Sequence, residues 1–349
     1  MFLKRRIPPR DISVLIRQLS TLLGAGIPLL QSCEIIVNSA ENKTVKHLMR
    51  AIQNGIETGL TFASVLQQFP KIFSSLYCQL VAAGEISGTL DIMLQRIATY
   101  HEKNQLIKQK VKKALFYPAT ILIVTMIAMA ILLIFAIPQF EQLFNSLGAE
   151  LPTMTRCVLQ FAKMIQQCWV WILFLILSLT STLRYFAKRN LKVQWHLDHF
   201  RLKLPIVGEI LIKLSLARFA RTTATLYAAG IPLLEALETV KGVMGNMVYS
   251  KAVQHLRQEI TKGTMMHTAM RLTGIFPSQL VQMVAIGEES GSLDKMLSYV
   301  ADLYEEETDI AIDNLNRLLE PLLMSCIGVV IGALVIAMYL PIFQIGSIF

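Results

Sequence analysis

Ala228-Ala229-Gly230-Ile231-Pro232-Leu233-Leu234-Glu235-Ala236-Leu237-Glu238 reads as a helix stop followed at once by a helix start. Glycine suits the left-handed residue just past a helix end, and proline suits the first turn of the next helix, where its missing N–H costs nothing. The same wording occurs earlier as Gly24-Ala25-Gly26-Ile27-Pro28-Leu29-Leu30-Gln31-Ser32-Cys33-Glu34, with 204 residues separating Gly26 from Gly230 and Pro28 from Pro232. A second mark, Gly84-Glu85-Ile86-Ser87-Gly88-Thr89-Leu90-Asp91, returns as Gly287-Glu288-Glu289-Ser290-Gly291-Ser292-Leu293-Asp294 at an offset of 203. Phe73 and Phe276, Pro118 and Pro321, and Pro138 and Pro341 keep that offset, while Arg17 and Arg221, and Thr21 and Thr225, keep 204. The chain is a tandem duplication, with one residue of slippage between its two marks.

Within each copy the apolar residues fall at helical spacing. Leu15, Leu19, Leu22 and Leu23 line one face, and further patterns cover His47 to Ile52, Phe62 to Leu66 and Phe73 to Gly84. No long period-2 alternation is present, so the expected fold is all-α.

Composition sets the environment. Hydrophobic residues make up 54% of the chain and charged ones only 16%, against about 25% charged in a soluble domain. Three stretches are free of charge: 27 residues between Lys113 and Glu141, 20 between Lys163 and Arg184, and everything after Glu320. Each meets the length of about 20 residues that a spanning helix needs. Lys108, Lys110, Lys112 and Lys113 precede the first, and Arg184, Lys188, Arg189 and Lys192 follow the second. By the positive-inside rule, both copies then lie in the cytoplasm with the N-terminus, and the C-terminus lies outside. The expected order is a first cytoplasmic bundle at 1–113, spans at 114–138 and 166–184 around an external segment at 139–165, a second bundle at 185–320, a third span at 321–341 and a tail at 342–349. Residues 1–113 hold 15 basic and 7 acidic side chains, whereas 184–320 hold 16 and 15. Bundles so different in charge are not expected to meet the same partners.

Candidate chemistry is sparse. The five cysteines form no CxxC pair and the six histidines are scattered, so no metal site, disulfide framework or cofactor is expected. No Walker-type phosphate loop or HExxH occurs, and the serine in the Gly84 to Gly88 stretch is one place too late for a nucleophile elbow. The expectation is therefore no enzyme. The charge-free stretches also lack the ionisable groups that transporters place inside their spans.

Glu85, Asp91, Glu288 and Asp294 are better read as helix-terminal groups than as a metal or acid–base set. With Gly88 or Gly291 as N-cap, Asp91 or Asp294 stands at N3, against free N–H groups and the positive helix end. Candidate partner contacts are Arg17, Arg221, Glu289 and the acidic run Glu305, Glu306 and Glu307. The lysines from Lys108 to Lys113 suit a membrane-lipid surface.

The ordered motifs resemble the GspF/PilC family of inner-membrane platform proteins. The resemblance rests on Arg17-Gln18-Leu19, the Gly26 and Gly84 marks, Lys113-Ala114-Leu115-Phe116-Tyr117-Pro118, Pro138-Gln139-Phe140 and Leu151-Pro152. In the second half it rests on Ala217-Arg218-Phe219-Ala220-Arg221-Thr222, Gly287-Glu288-Glu289-Ser290-Gly291, Glu320-Pro321-Leu322 and Ala337-Met338-Tyr339-Leu340-Pro341-Ile342-Phe343. The wording is closer to the pilus branch than to the secretion branch. The resemblance implies a non-enzymatic platform for type IV pilus assembly or a secretion pseudopilus, in the bacterial inner membrane. Its implied partners are a cytoplasmic assembly ATPase, pilin or pseudopilin subunits, other inner-membrane assembly components and further copies of itself; nucleic acid is not among them. One departure is visible: members usually carry several dozen residues before the first bundle, and here its pattern begins almost at Met1.

Overall fold

The computed structural model describes residues 7–131 and 190–345, with isolated positions between 139 and 182. All regular elements among them are helices. The first copy comprises α1 (Pro9–Gly24), α2 (Leu29–Ser39), α3 (Lys43–Glu57), α4 (Phe62–Gln67), α5 (Ser75–Ser87) and α6 (Leu90–Ile131). After α7 (Leu191–Lys203), the second copy repeats them as α8 (Val207–Ala228), α9 (Leu233–Val243), α10 (Met247–Thr261), α11 (Met266–Thr273), α12 (Ser278–Ser290) and α13 (Leu293–Ile345). The duplication read from two glycine marks thus extends to every helix of the bundle.

Binary patterning drives each element. In α3, Val45, Leu48, Met49 and Ile52 are buried, while Lys43, His47 and Arg50 stay in solvent. Burying each large apolar side chain is worth about 1.5–3 kcal/mol. Asn42 and Asn246 start α3 and α10 alike, accepting from Thr44 N at 2.9 Å and Val248 N at 2.8 Å. The corner between α1 and α2 closes as expected. Gly26 has φ +82° and Gly230 φ +79°, and Ile27 N–H and Ile231 N–H reach back to the Leu22 and Leu226 carbonyls at 3.0 and 3.1 Å. Pro28 and Pro232 stand one place earlier than the first-turn position, as N-caps. The slipped residue falls in the turn between α4 and α5, because Phe62 still matches Met266 at 204 whereas Phe73 already matches Phe276 at 203.

Two compact units result, Met1–Lys110 with Asp198–Ala311, and Val111–Leu197 with Ile312–Phe349. In the first, both bundles share a continuous apolar core running from Ile7 to Tyr304. The second contains the apolar parts of α6 and α13, each long and apolar enough to cross a membrane. Their apolar side chains are largely uncovered, with Met126 68% and Val329 73% exposed. The expected bundle limits at 113 and 320 fall within α6 and α13, which continue without a break despite Pro118 and Pro321. The expected external segment at 139–165 and middle span at 166–184 lie outside the described residues, save for isolated positions. The tail from 342 is described as far as Ile345, still within α13.

Candidate functional site: the groove between the bundles

The second glycine of each mark ends a helix and does not begin one. Gly88 and Gly291 are the C-caps of α5 and α12, with left-handed φ of +69° and +67°. Thr89 N–H and Ser292 N–H bond the Gly84 and Gly287 carbonyls, each at 3.0 Å. The N-cap reading of these glycines is therefore corrected. Two helices abut here, and a left-handed glycine satisfies the carbonyls of the one that is ending. Asp91 and Asp294 move from N3 to the second residue of α6 and α13, still in the first turn.

The motif glutamates cap other helices. Glu85 Oε1 and Oε2 accept from Phe62 N at 2.6 Å and Ala63 N at 2.9 Å, at the start of α4. Glu288 does the same for Met266 N and His267 N at the start of α11, at 2.6 and 3.0 Å, and His267 Nδ1 lies 2.6 Å from the same carboxylate. Each glutamate ties the fifth helix of its bundle to the fourth. Among the described residues, no group of three His, Cys, Asp or Glu side chains is placed to hold a metal ion.

The candidate contacts Arg17 and Arg221 turn inward as matched clamps. Arg17 makes a two-pronged pair with Glu102 at 2.9 and 2.6 Å, joining α1 to α6. Arg221 meets Glu305 at 2.8 and 3.0 Å and also bonds Asp302, joining α8 to α13. Burial opposes the Arg221 charge, but its pairing with Glu305 and Asp302 outweighs that and holds its pKa above the usual value. Glu305 is thus an internal partner, and Glu307 pairs with Lys213 at 3.3 Å. Glu289 and Glu306 remain exposed.

A charged seam then joins the two bundles. Lys103 of α6 reaches Asp302 at 3.0 Å and Glu305 at 2.9 Å, completing a ring of alternating charges with Arg221. Asp302 is held below the usual carboxylate range: burial pushes it up, and Lys103 and Arg221 together overcome that. Gln79 accepts from the Thr239 hydroxyl, Tyr100 OH from Thr222 Oγ1 at 3.4 Å, the Thr225 carbonyl from Arg96 Nη1 at 3.5 Å, and Lys110 pairs with Asp309. Beside the seam lies a groove of about 410 Å³, lined by Arg96, Thr99, Tyr100, Lys103, Arg221 and Asp294 among others.

Sequence reading did not single out Lys103, Asp302, Gln79 or Thr239. One signal was available: the pairs Arg17–Glu102 and Arg221–Glu305 keep their types between copies, whereas Lys103 stands where the second copy has Glu306 and Asp302 where the first has Thr99.

A helical bundle present twice, each copy's last helix carrying an apolar stretch, defines a duplicated membrane-associated bundle protein. Residues 15–138 and 219–341 match the family described as Type II secretion system (T2SS), protein F, and the chain belongs to that family. It is 44% identical over 99% of its length to the type IV pilus assembly protein PilC of Pseudomonas aeruginosa, covering 92% of that protein. It is 46% identical over 98% of its length to the type IV pilus assembly protein TapC of Aeromonas hydrophila, covering 83%. Identity to type II secretion system protein F of Aeromonas hydrophila is 29%, over 99% of this chain and 88% of that one.

Proposed function

We propose that this chain is an inner-membrane platform for type IV pilus assembly. The observation that carries this reading is the gap in identity along the whole chain, 44–46% to two proteins named for pilus assembly and 29% to a secretion homologue. In this reading the platform is non-enzymatic and its bundles face the cytoplasm. They meet the assembly ATPase there, while α6 and α13 reach pilin subunits within the membrane. The lysine-rich approach to the first apolar stretch supports that orientation.

Deleting the gene and restoring it on a plasmid tests the function. Loss and recovery of surface pili are expected, with extracellular enzyme secretion unaffected. Intact pili in the null overturn the reading, and lost secretion with intact pili moves the chain to the secretion branch. Labelling of single cysteines in whole cells and in lysed cells tests the topology, with Glu306→Cys expected to react only after lysis.

A further inference from the structure

The turn from α7 into α8 carries apolar side chains on its open side. Phe200 is 64% exposed, and Leu204, Ile206 and Val207, which follow at once, are also open to solvent. Basic groups stand among them. Arg201 and Lys203 are exposed, and the stretch from Arg184 to Val207 holds six lysines and arginines against one carboxylate, Asp198. That carboxylate is buried. It accepts from Met247 N at 2.9 Å, at the start of α10, and pairs with Arg201 at 3.1 Å. The next carboxylate along the chain, Glu209, is held by Lys213 at 2.8 Å.

The corner is built to keep its apolar residues outside. α7 gives way to α8 through a γ-turn, with Val207 N–H bonded to the Pro205 carbonyl at 2.7 Å and Ile206 at φ +66°. A β-branched residue in that region is strained, and persists there only where packing fixes the backbone. Gly208 supplies the fixing contact: a Cβ on it would stand 2.2 Å from the Leu202 carbonyl oxygen. Leu202 in turn packs against the apolar core.

The place of this corner in the bundle unit says what it meets. Arg221 of α8 pairs with Glu305 of α13, and Lys213, two turns earlier on α8, pairs with Glu307. The two helices therefore run in opposite directions. Val207 lies six residues before Lys213, about 9 Å further back along α8. The four residues from Glu307 to Ala311, about 6 Å, bring α13 to the limit of the unit. The corner thus stands at the end from which α13 departs. α6 departs there too, since Lys110 pairs with Asp309. Both helices then continue into stretches apolar enough to cross a membrane.

We propose that the α7–α8 corner is an interfacial anchor, seated on anionic phospholipid at the surface of the membrane that α6 and α13 enter. This rests on reading those helices as spans, and holds for a pilus and a secretion machine alike. Phe200, Leu204, Ile206 and Val207 enter the boundary between headgroups and acyl chains, where interfacial elements bury their apolar side about 5–10 Å deep. Lys203, and the Arg201 N–H groups not engaged by Asp198, meet lipid phosphates. Lys108, Lys112 and Lys113 of α6, all exposed, extend the same positive surface. Such juxtamembrane cations are drawn to anionic headgroups and act only within a Debye length of them. A protein partner requires neither the excess of cations nor a place beside the departing helices, whereas a lipid surface requires both. The anchor holds the second bundle to the bilayer at a point separate from its own apolar helix.

Nitroxide labels on single cysteines of the full-length chain test this, with Cys157, Cys168 and Cys326 replaced by serine and the buried Cys33 and Cys78 left in place. Phe200→Cys and Val207→Cys are compared with Ile286→Cys, an exposed apolar position close to the start of α13, and with Val329→Cys in the apolar stretch of α13. The vesicles contain one part phosphatidylglycerol to three of phosphatidylcholine. Labels at 200 and 207 are expected to show a ratio of oxygen to water-soluble nickel chelate collisions several-fold above that at 286. Lys203→Glu, added salt, or phosphatidylcholine alone should lower that ratio. Ratios at 200 and 207 equal to that at 286 overturn the proposal, as does exclusion of both collision agents, which marks burial under protein, while the label at 329 still reports lipid. Exposure to water at 329 as well overturns the membrane reading beneath it. Equal ratios with and without phosphatidylglycerol overturn the choice of anionic lipid.

Discussion

Glu85 and Glu288 each accept two backbone N–H groups at the start of another helix, yet the two sites are not equally backed up. Thr61 adds a side-chain cap to α4, accepting from Ser64 N at 3.3 Å, whereas α11 begins after Met265, which has none. Losing hydrogen bonds from a charged acceptor costs about 1.5–3 kcal/mol. Glu288→Ala is therefore expected to lower the melting temperature of the purified chain in detergent more than Glu85→Ala does. Equal melting with a lost cellular function would instead give these carboxylates a partner role. His101 supplies a pH dependence at the same scale. Burial holds its pKa below the ordinary 6.5, with Lys108 acting in the same direction and Glu102 against it. The ring packs edge-on to Tyr77 at 5.9 Å, bonds Ser13, and lies 3.4 Å from Gln105. A folded pKa below the unfolded one means that the unfolded chain binds the proton more readily. The stability contributed by neutral His101 is thus complete above pH 6.5 and lost as pH falls below it. Comparing wild type with His101→Gln by thermal melting from pH 7.5 to 5 checks this; parallel curves would refute it.

At the scale of elements, glycines divide by what surrounds them. A Cβ on Gly287 would stand 2.9 Å from Leu293 Cα, and one on Gly84 3.0 Å from Leu90 Cα, where α12 and α5 approach the helices that follow. Backbone cannot yield as a side-chain tip can. Gly287→Ala is expected to destabilise by about 1–3 kcal/mol through overpacking, more than the gain in helix propensity of about 1 kcal/mol. Gly242, inside α9, has nothing within 4 Å of such a Cβ, so Gly242→Ala should stabilise by about 0.5–1 kcal/mol. Chemical denaturation of both variants tests the contrast. The same division marks what the sequence could disclose. Helices, corners and duplication were readable because Gly26-Ile27-Pro28 and its copy act on their immediate neighbours. The Gly88 role was misplaced because a glycine between abutting helices suits either end, and only its φ of +69° decides. Glu85 was read as a helix-terminal group, but its target α4 lies more than 20 residues away, and no local rule points there.

At the scale of the molecule, the seam was the least legible feature, since it depends on how two similar surfaces meet. Its polar character nonetheless makes a prediction. Polar interfaces between domains of one chain resemble transient ones and open more readily than apolar ones. Lys103 holds two carboxylates across the seam but is itself 38% exposed, so solvent screening limits its contribution to about 1 kcal/mol. Lys103→Glu, which installs the second copy's residue, should do more than remove that pair, because it sets a third carboxylate beside Asp302 and Glu305. The apolar core that the two bundles share is untouched, so far-ultraviolet circular dichroism should remain that of wild type. The intramolecular disulfide between Gln79→Cys and Thr239→Cys should form several-fold more slowly, and Lys103→Met should fall between the two. Raising the salt concentration should slow the wild-type reaction and hasten that of Lys103→Glu, since screening weakens attraction in one and repulsion in the other. A disulfide rate indifferent to both charge and salt would mean that apolar contact alone sets the seam, with the ring of Lys103, Asp302, Arg221 and Glu305 a consequence of docking and not its cause.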